Sequence, residues 1–282
     1  MGVVSDAPSA PAEPLTYSRV AAVALPPMFL AVVFLIYLDF DHLLNSGDRA
    51  PAPITAPGTA MPSSVPKAQS APTSAASAAA GVFGTIYRDQ VWGKSAEGQG
   101  TSGSGSTLQS TAFYRTYLQT FLKENKIRSV VDAGCGDWEF SKAIDWTGID
   151  YKGFDVVSSV IANDTKKYAS KNVQFAVANI VTDDLPAADL LIVKHVLQHL
   201  PNADVATFLE QLPKYRHVLL TNSVSARTLS GDNRDIAIGA FRYFDPTQPP
   251  FALPGIKALT WWDGLSMHQV LYLRRSDEPE AR

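Results

Sequence analysis

The sequence predicts an α/β fold with a mostly parallel sheet and an antiparallel C-terminal pair, and three observations carry that prediction. The β-branched run Arg128-Ser-Val-Val-Asp132 enters a glycine turn, Ala133-Gly134-Cys135-Gly136, and a second strand-like run, Tyr151-Lys-Gly153-Phe154-Asp155, follows about twenty residues on. Further short strand-like runs at 173–180, 188–194 and 217–222 alternate with helical patterns, as parallel strands joined by crossovers do. Finally, residues 257–262 and 268–273 flank Asp263-Gly264, a strong hairpin signal.

Taken in chain order, the first element is no part of that sheet. Residues 20–38 carry no charge and are bracketed by Arg19 and Asp39. As a helix this run spans about 28 Å, close to the hydrocarbon thickness of a bilayer, so a transmembrane helix and contact with the lipid bilayer are expected. Pro26-Pro27 should kink it. A cleaved signal fits less well, because the polar leader 1–19 is long and the first small-residue site, Ala50-Pro51-Ala52, lies far beyond the apolar run. Residues 39–81 read as a disordered stalk: Pro, Ala and Ser make up 23 of the 36 residues from 45 to 80, leaving little apolar surface to offset ordering entropy.

Order is expected from about Val82 to residue 276, followed by a short tail, 277–282. The Gly/Ser-rich stretch 93–107 is either a lid or a second linker. Residues 108–125 place Phe113, Tyr114, Tyr117, Leu118, Phe121 and Leu122 at helical spacing. Of the 282 residues, 24 are Lys or Arg and 27 Asp or Glu, a formal net charge of -3, which disfavours nucleic acid as a partner. A single cysteine, Cys135, rules out an intramolecular disulfide and a Cys-pair zinc site.

Gly134 and Gly136 allow a tight turn and close backbone approach to a ligand, a helix is expected to follow, and Asp155 is placed to accept ribose hydroxyls. A dinucleotide fold would put a third glycine where Glu139 stands. Asp132, Asp137 and Glu139 also crowd the turn with negative charge, which suits a cationic ligand better than pyrophosphate. An NAD-dependent oxidoreductase is therefore disfavoured.

Asp132-Ala-Gly-Cys-Gly136 resembles the first motif of class I S-adenosylmethionine-dependent methyltransferases, and Gly153-Phe-Asp155 the acid ending their second strand. Residues 173–180 resemble the third strand, and 188–201 the fourth strand with the helix after it. Trp92-Gly93, Ser102-Gly-Ser-Gly-Ser106 and Thr111-x-x-Tyr-Arg115 resemble a bacterial subgroup of uncharacterised methyltransferases. The resemblance implies a Rossmann-like class I methyltransferase sheet and S-adenosyl-L-methionine as cofactor. It also implies that Asp132, Gly134 and Gly136 shape the methionine side, Asp155 holds the ribose, and Asn179 and Ile180 contact adenine. Lys194 ends the fourth strand beside this crevice and joins the cofactor set.

Methyl transfer needs positioning, and a base where the acceptor must lose a proton. His195 is the base candidate, its ordinary pKa of about 6.5 suiting proton transfer near neutrality. His199 reads as structural, and with no acid nearby the His195/His199 pair is not expected to hold a metal. Asn222 ends the fifth strand, and Asp235 and Arg242 lie in the insertion 231–255, so these three are candidates for binding a small-molecule or glycan-like acceptor; an ion pair closing the loop is the alternative for the last two. A catalytically silent, membrane-tethered cofactor-binding or scaffold domain is the rival reading. By the positive-inside rule Arg19 before the apolar run and Asp39 and Asp41 after it point to a domain outside the cytoplasm, whereas a cofactor made in the cytosol points inside, so the sequence leaves the side of the membrane open.

Overall fold

The computed structural model describes residues 74–229, 231 and 233–275. The predicted transmembrane run 20–38, most of the predicted stalk and the tail 277–282 lie outside the described residues. Among the described residues no helix is long and apolar enough to cross a membrane.

Seven strands form one sheet in the order β3-β2-β1-β4-β5-β7-β6. They are β1 (Ser129–Ala133), β2 (Asp150–Asp155), β3 (Val173–Val177), β4 (Leu190–Lys194), β5 (His217–Val224), β6 (Ile256–Trp262) and β7 (Met267–Arg274). The first five are mutually parallel and β7 runs against both of its neighbours. All of β4 and β5 is buried, which is why Leu-Leu-Ile-Val and His-Val-Leu-Leu show no alternation: both faces of a central parallel strand are covered. The sheet order reverses at β1 and β4, leaving a crevice outside the carboxyl ends of these strands.

Among the described residues five α-helices flank the sheet: α1 (Ser74–Arg88), α2 (Ala112–Glu124), α3 (Ser158–Tyr168), α4 (Asn202–Leu209) and the single-turn α5 (Ala226–Leu229). On one face, Tyr114, Leu118 and Phe121 of α2 pack with Trp146, Tyr151 and Trp261; on the other, Leu191 and Val193 pack with Val205, Phe208 and Phe244. Truncating a fully buried Phe208 or Leu191 to alanine should cost about 3–5 kcal/mol.

Two expectations are corrected. Helix α1 begins at Ser74, inside the segment expected to be stalk. Alanine has the best helix propensity, and Ala79, Phe83 and Tyr87, four residues apart, give α1 one apolar face to bury. The glycine turn after β1 is not followed by an α-helix; only a 3-10 turn, Ser141–Ala143, forms before β2. Trp138 adopts φ 55°, breaking helical continuity, and its ring inserts among Tyr151, Tyr168 and Phe175 at centroid distances of 5.1–5.6 Å. Aromatic packing replaces the helix there.

Candidate active site

A cavity of about 420 Å³ opens at the carboxyl ends of the parallel strands, within the size range of small-molecule sites. Its floor is the glycine turn. Gly134 and Gly136 have φ 84° and 59°, and a Cβ on Gly136 would lie 2.3 Å from Ser102 Oγ. At the end of β2, Asp155 Oδ1 accepts from the Val157 amide at 2.9 Å and Oδ2 from the Gly136 amide at 3.2 Å, joining the acid to the turn. Burial nevertheless lifts the Asp155 carboxyl to about 6, against the pull of those backbone donors. Asp132, buried at the end of β1, accepts from Tyr151 Oη at 2.7 Å and is lifted by burial to about 7, opposed by that bond and by Lys194. Asn179 and Ile180, just past β3, complete this side.

The glycine-rich stretch is a strap across the cavity, so the lid alternative describes it better than the linker. Ser102 and Asp137 bond reciprocally: the Ser102 amide donates to Asp137 Oδ2 at 3.0 Å, and the Asp137 amide donates to Ser102 Oγ at 2.9 Å. Tyr87 Oη lies 2.7 Å from the same Ser102 hydroxyl. Further along, Lys194 Nζ donates to the Gly105 carbonyl at 2.7 Å. Burial lowers the Lys194 ammonium to about 7, with Asp132 and Asp263 pulling the other way.

His195 borders the cavity in a left-handed conformation, φ 57°. Its Nδ1 edge is covered: Lys194 Nζ lies 3.2 Å away, and a Cβ on Gly105 would approach it to 2.8 Å. Its Nε2 is sealed off without a hydrogen-bond partner, and burial, then the Lys194 charge, pushes the ring well below its ordinary pKa. The expected base is therefore neutral but has no nitrogen open to an acceptor. His199 binds the Ala240 carbonyl through Nδ1 at 3.0 Å, packs on Trp92 at 4.9 Å and also borders the cavity.

The three candidate acceptor residues are not brought into the cavity. Asn222 points away from it, and its neighbour Ser223 borders it instead, as the alternation of β5 requires. Asp235 Oδ1 accepts from the Asn202 and Ile236 amides at 2.7 and 2.9 Å, holding the first residue of α4. Arg242, 2% exposed, donates to Asn202 Oδ1 and the Arg234 carbonyl at 2.7 Å and to the Leu200 carbonyl at 2.8 Å. Its guanidinium satisfies loop carbonyls and fastens the insertion to the molecule. What the insertion gives the cavity is apolar: Ile238 and Phe241.

Sequence reasoning missed Tyr87, Ser102, Ser223, Asp263 and His268, all of which border the cavity. Asp263 was legible only as a turn residue, and nothing local marks Ser223 or His268 within their strands.

A sheet in which only the penultimate-position strand β7 is reversed, bearing an acidic glycine-turn crevice at its switch point, defines a Rossmann-like domain of the methyltransferase type. Residues 79–235 match the model of the O-methyltransferase domain family, more than half of the chain, and the chain belongs to that family. Among solved structures, Burkholderia thailandensis 1,6-didemethyltoxoflavin-N1-methyltransferase, with 1,6-didemethyltoxoflavin and S-adenosylhomocysteine bound, shares the fold at TM-score 0.52 and 17% identity, over 76% of this chain and 94% of that one. The N-methyltransferase NodS from Bradyrhizobium japonicum WM9, in complex with S-adenosyl-L-homocysteine, is similar at TM-score 0.46 and 14% identity, covering 60% and 88%. Magnesium protoporphyrin IX methyltransferase from Synechocystis PCC 6803 gives the same score and identity over 58% and 83%. No curated protein has a matching sequence.

Proposed function

We propose that the domain is an S-adenosyl-L-methionine-dependent methyltransferase acting on a small-molecule acceptor. The observation that carries this reading is Asp155, tied to Gly136 at the carboxyl end of β2 with Asp132, Asn179 and Ile180 around the same cavity. When bound, the cofactor supplies an electrophilic methyl group on a cationic sulfur. The chain's own residues do the rest. Asp155 holds the ribose hydroxyls with the lone pairs its two backbone donors leave free. Asp132 and the glycine turn give the cationic end a negative, close-fitting wall, Asn179 and Ile180 flank the base, and Lys194 latches the strap above. Phe83, Trp92, Ile238 and Phe241 make the acceptor side largely aromatic and apolar, which supports a small molecule over a glycan.

Calorimetry of S-adenosylmethionine binding tests the site: Asp155→Ala should weaken affinity at least tenfold, and unchanged binding by a folded variant refutes the assignment. Formation of S-adenosylhomocysteine with cell extract as the acceptor source separates an enzyme from a silent scaffold domain. The uncharged run 20–38 supports membrane tethering. Recovery of the full chain in the membrane fraction, lost on deleting 20–38, tests it.

A further inference from the structure

Ser223, His268 and Asp263 come from three places in the chain and meet at one wall of the cavity. Ser223 is near the carboxyl end of β5 and is paired directly with His268 on β7, while Asp263 sits in the turn between β6 and β7. Ser223 Oγ lies 3.3 Å from His268 Nδ1, and His268 Nε2 lies 2.9 Å from Asp263 Oδ2. The second contact is electrostatic rather than a directed hydrogen bond, because the ring N–H is off line with the carboxylate. Both side chains are almost completely buried. The other oxygen, Asp263 Oδ1, accepts from the Leu265 and Ser266 amides at 2.8 Å, so the turn fixes the carboxylate.

We propose that Ser223, His268 and Asp263 form the proton relay that deprotonates the methyl acceptor. The inference rests on the methyltransferase reading above. As the acceptor heteroatom bonds to the methyl group, the methyl–sulfur bond breaks and its electron pair stays on sulfur. The acceptor proton passes to Ser223 Oγ, the serine proton passes to His268 Nδ1, and Asp263 stabilises the resulting imidazolium. That proton leaves to solvent with product. Burial holds His268 below its ordinary pKa despite Asp263, so it is neutral and able to accept at pH 7. The charged and titratable groups facing it are Asp263 from the turn, and Lys194 and His195 from the end of β4, the His195 ring at 4.7 Å. The Ser223 amide cannot serve as an oxyanion donor for acyl transfer, because it donates to Gln198 Oε1 at 2.8 Å.

The test uses the full chain. Imidazole nitrogen NMR should find His268 with hydrogen on Nε2 and Nδ1 accepting. Ser223→Ala should move the Nδ1 resonance, and Asp263→Asn should lower the His268 pKa. With cell extract and S-adenosylmethionine varied up to saturation, His268→Gln should slow the maximal rate of S-adenosylhomocysteine formation about 100-fold or more while leaving the KM for S-adenosylmethionine unchanged, and Ser223→Ala should flatten the acid limb of the pH profile. Hydrogen on Nδ1, an Nδ1 resonance indifferent to Ser223→Ala, or a folded His268→Gln within twofold of wild type would each overturn the relay. If the wild type itself forms no S-adenosylhomocysteine, the methyltransferase reading fails, and the NMR measurement still decides whether the relay exists.

Discussion

Gly136→Ala should detach the strap, and the cost can be worked from the geometry. The substitution places a side chain in the left-handed region at φ 59°, costing about 1–2 kcal/mol. The new Cβ would also lie 2.3 Å from Ser102 Oγ and 3.1 Å from Ser102 Cβ, so Ser102 must move. Moving it breaks the Asp137 amide bond to Ser102 Oγ and the Tyr87 contact, at about 1 kcal/mol each. The sum is about 3–4 kcal/mol, a large share of the 5–15 kcal/mol typical of a domain. Urea denaturation measures the loss, and limited trypsin digestion reads the strap directly, since Lys94 lies at its start. Ser102→Ala removes the same side-chain bonds without the backbone strain and should cost about 2 kcal/mol. The two changes share partners, so the double variant should be less destabilised than the sum of the singles. Strict additivity, or a Gly136→Ala protein within about 0.5 kcal/mol of wild type with the Lys94 site protected, would refute the reasoning.

Other outcomes follow from the same contacts. Arg242→Met should cost about 3 kcal/mol, because three buried or partly buried acceptors lose their donor, and should lower Tm by about 10 °C without changing cofactor affinity; intact stability with lost turnover would restore an acceptor role. For Asp155 the folded pKa of about 6 lies above the ordinary 3.8, so the folded state binds this proton more tightly. Its contribution to stability is greatest below about 4 and is lost as pH rises through 6, with a ceiling of about 3 kcal/mol that partial solvent contact reduces. Buried histidines titrate with the opposite sign, so the measured quantity is the wild-type minus Asp155→Asn stability between pH 4 and 8; a flat difference contradicts the shift. Cofactor binding, which favours the ionised carboxylate, should weaken as pH falls below 6, and should do so less in Asp155→Asn.

Local pattern made the sheet legible. The strand ending in Asp132, the acid ending in Asp155 and the Asp263-Gly264 hairpin each depend on neighbours in sequence, and each is where the pattern placed it. The residues expected to hold the cofactor share one cavity for the same reason: they sit at or just past strand ends whose position follows from the topology. The opposite wall of Ser223, His268 and Asp263 was not legible, because its members meet only through tertiary pairing. Arg242 and Asp235 looked functional as charges in an irregular loop, but the loop needed them to satisfy its own carbonyls and amides. Ser223 and His268 looked like ordinary strand residues, and only the β5–β7 register sets one against the other. The helix missing after the glycine turn reflects Trp138, whose buried ring outweighs the helical tendency of the residues around it.

Helix α1 has a practical consequence for where this domain can be cut. Its alanine-rich first turns look dispensable, yet Ala79 is 6% exposed and borders the cavity together with Phe83 and Tyr87 of the same face. A chain shortened to Val82 would lose Ala79 and the amino-terminal turns that hold Phe83 and Tyr87 in helical register, and with Tyr87 the hydrogen bond that fastens Ser102. The segment predicted as stalk and the residues bordering the cavity therefore overlap in sequence. Length or composition changes just before residue 79, neutral in a true spacer, would be felt by the ligand.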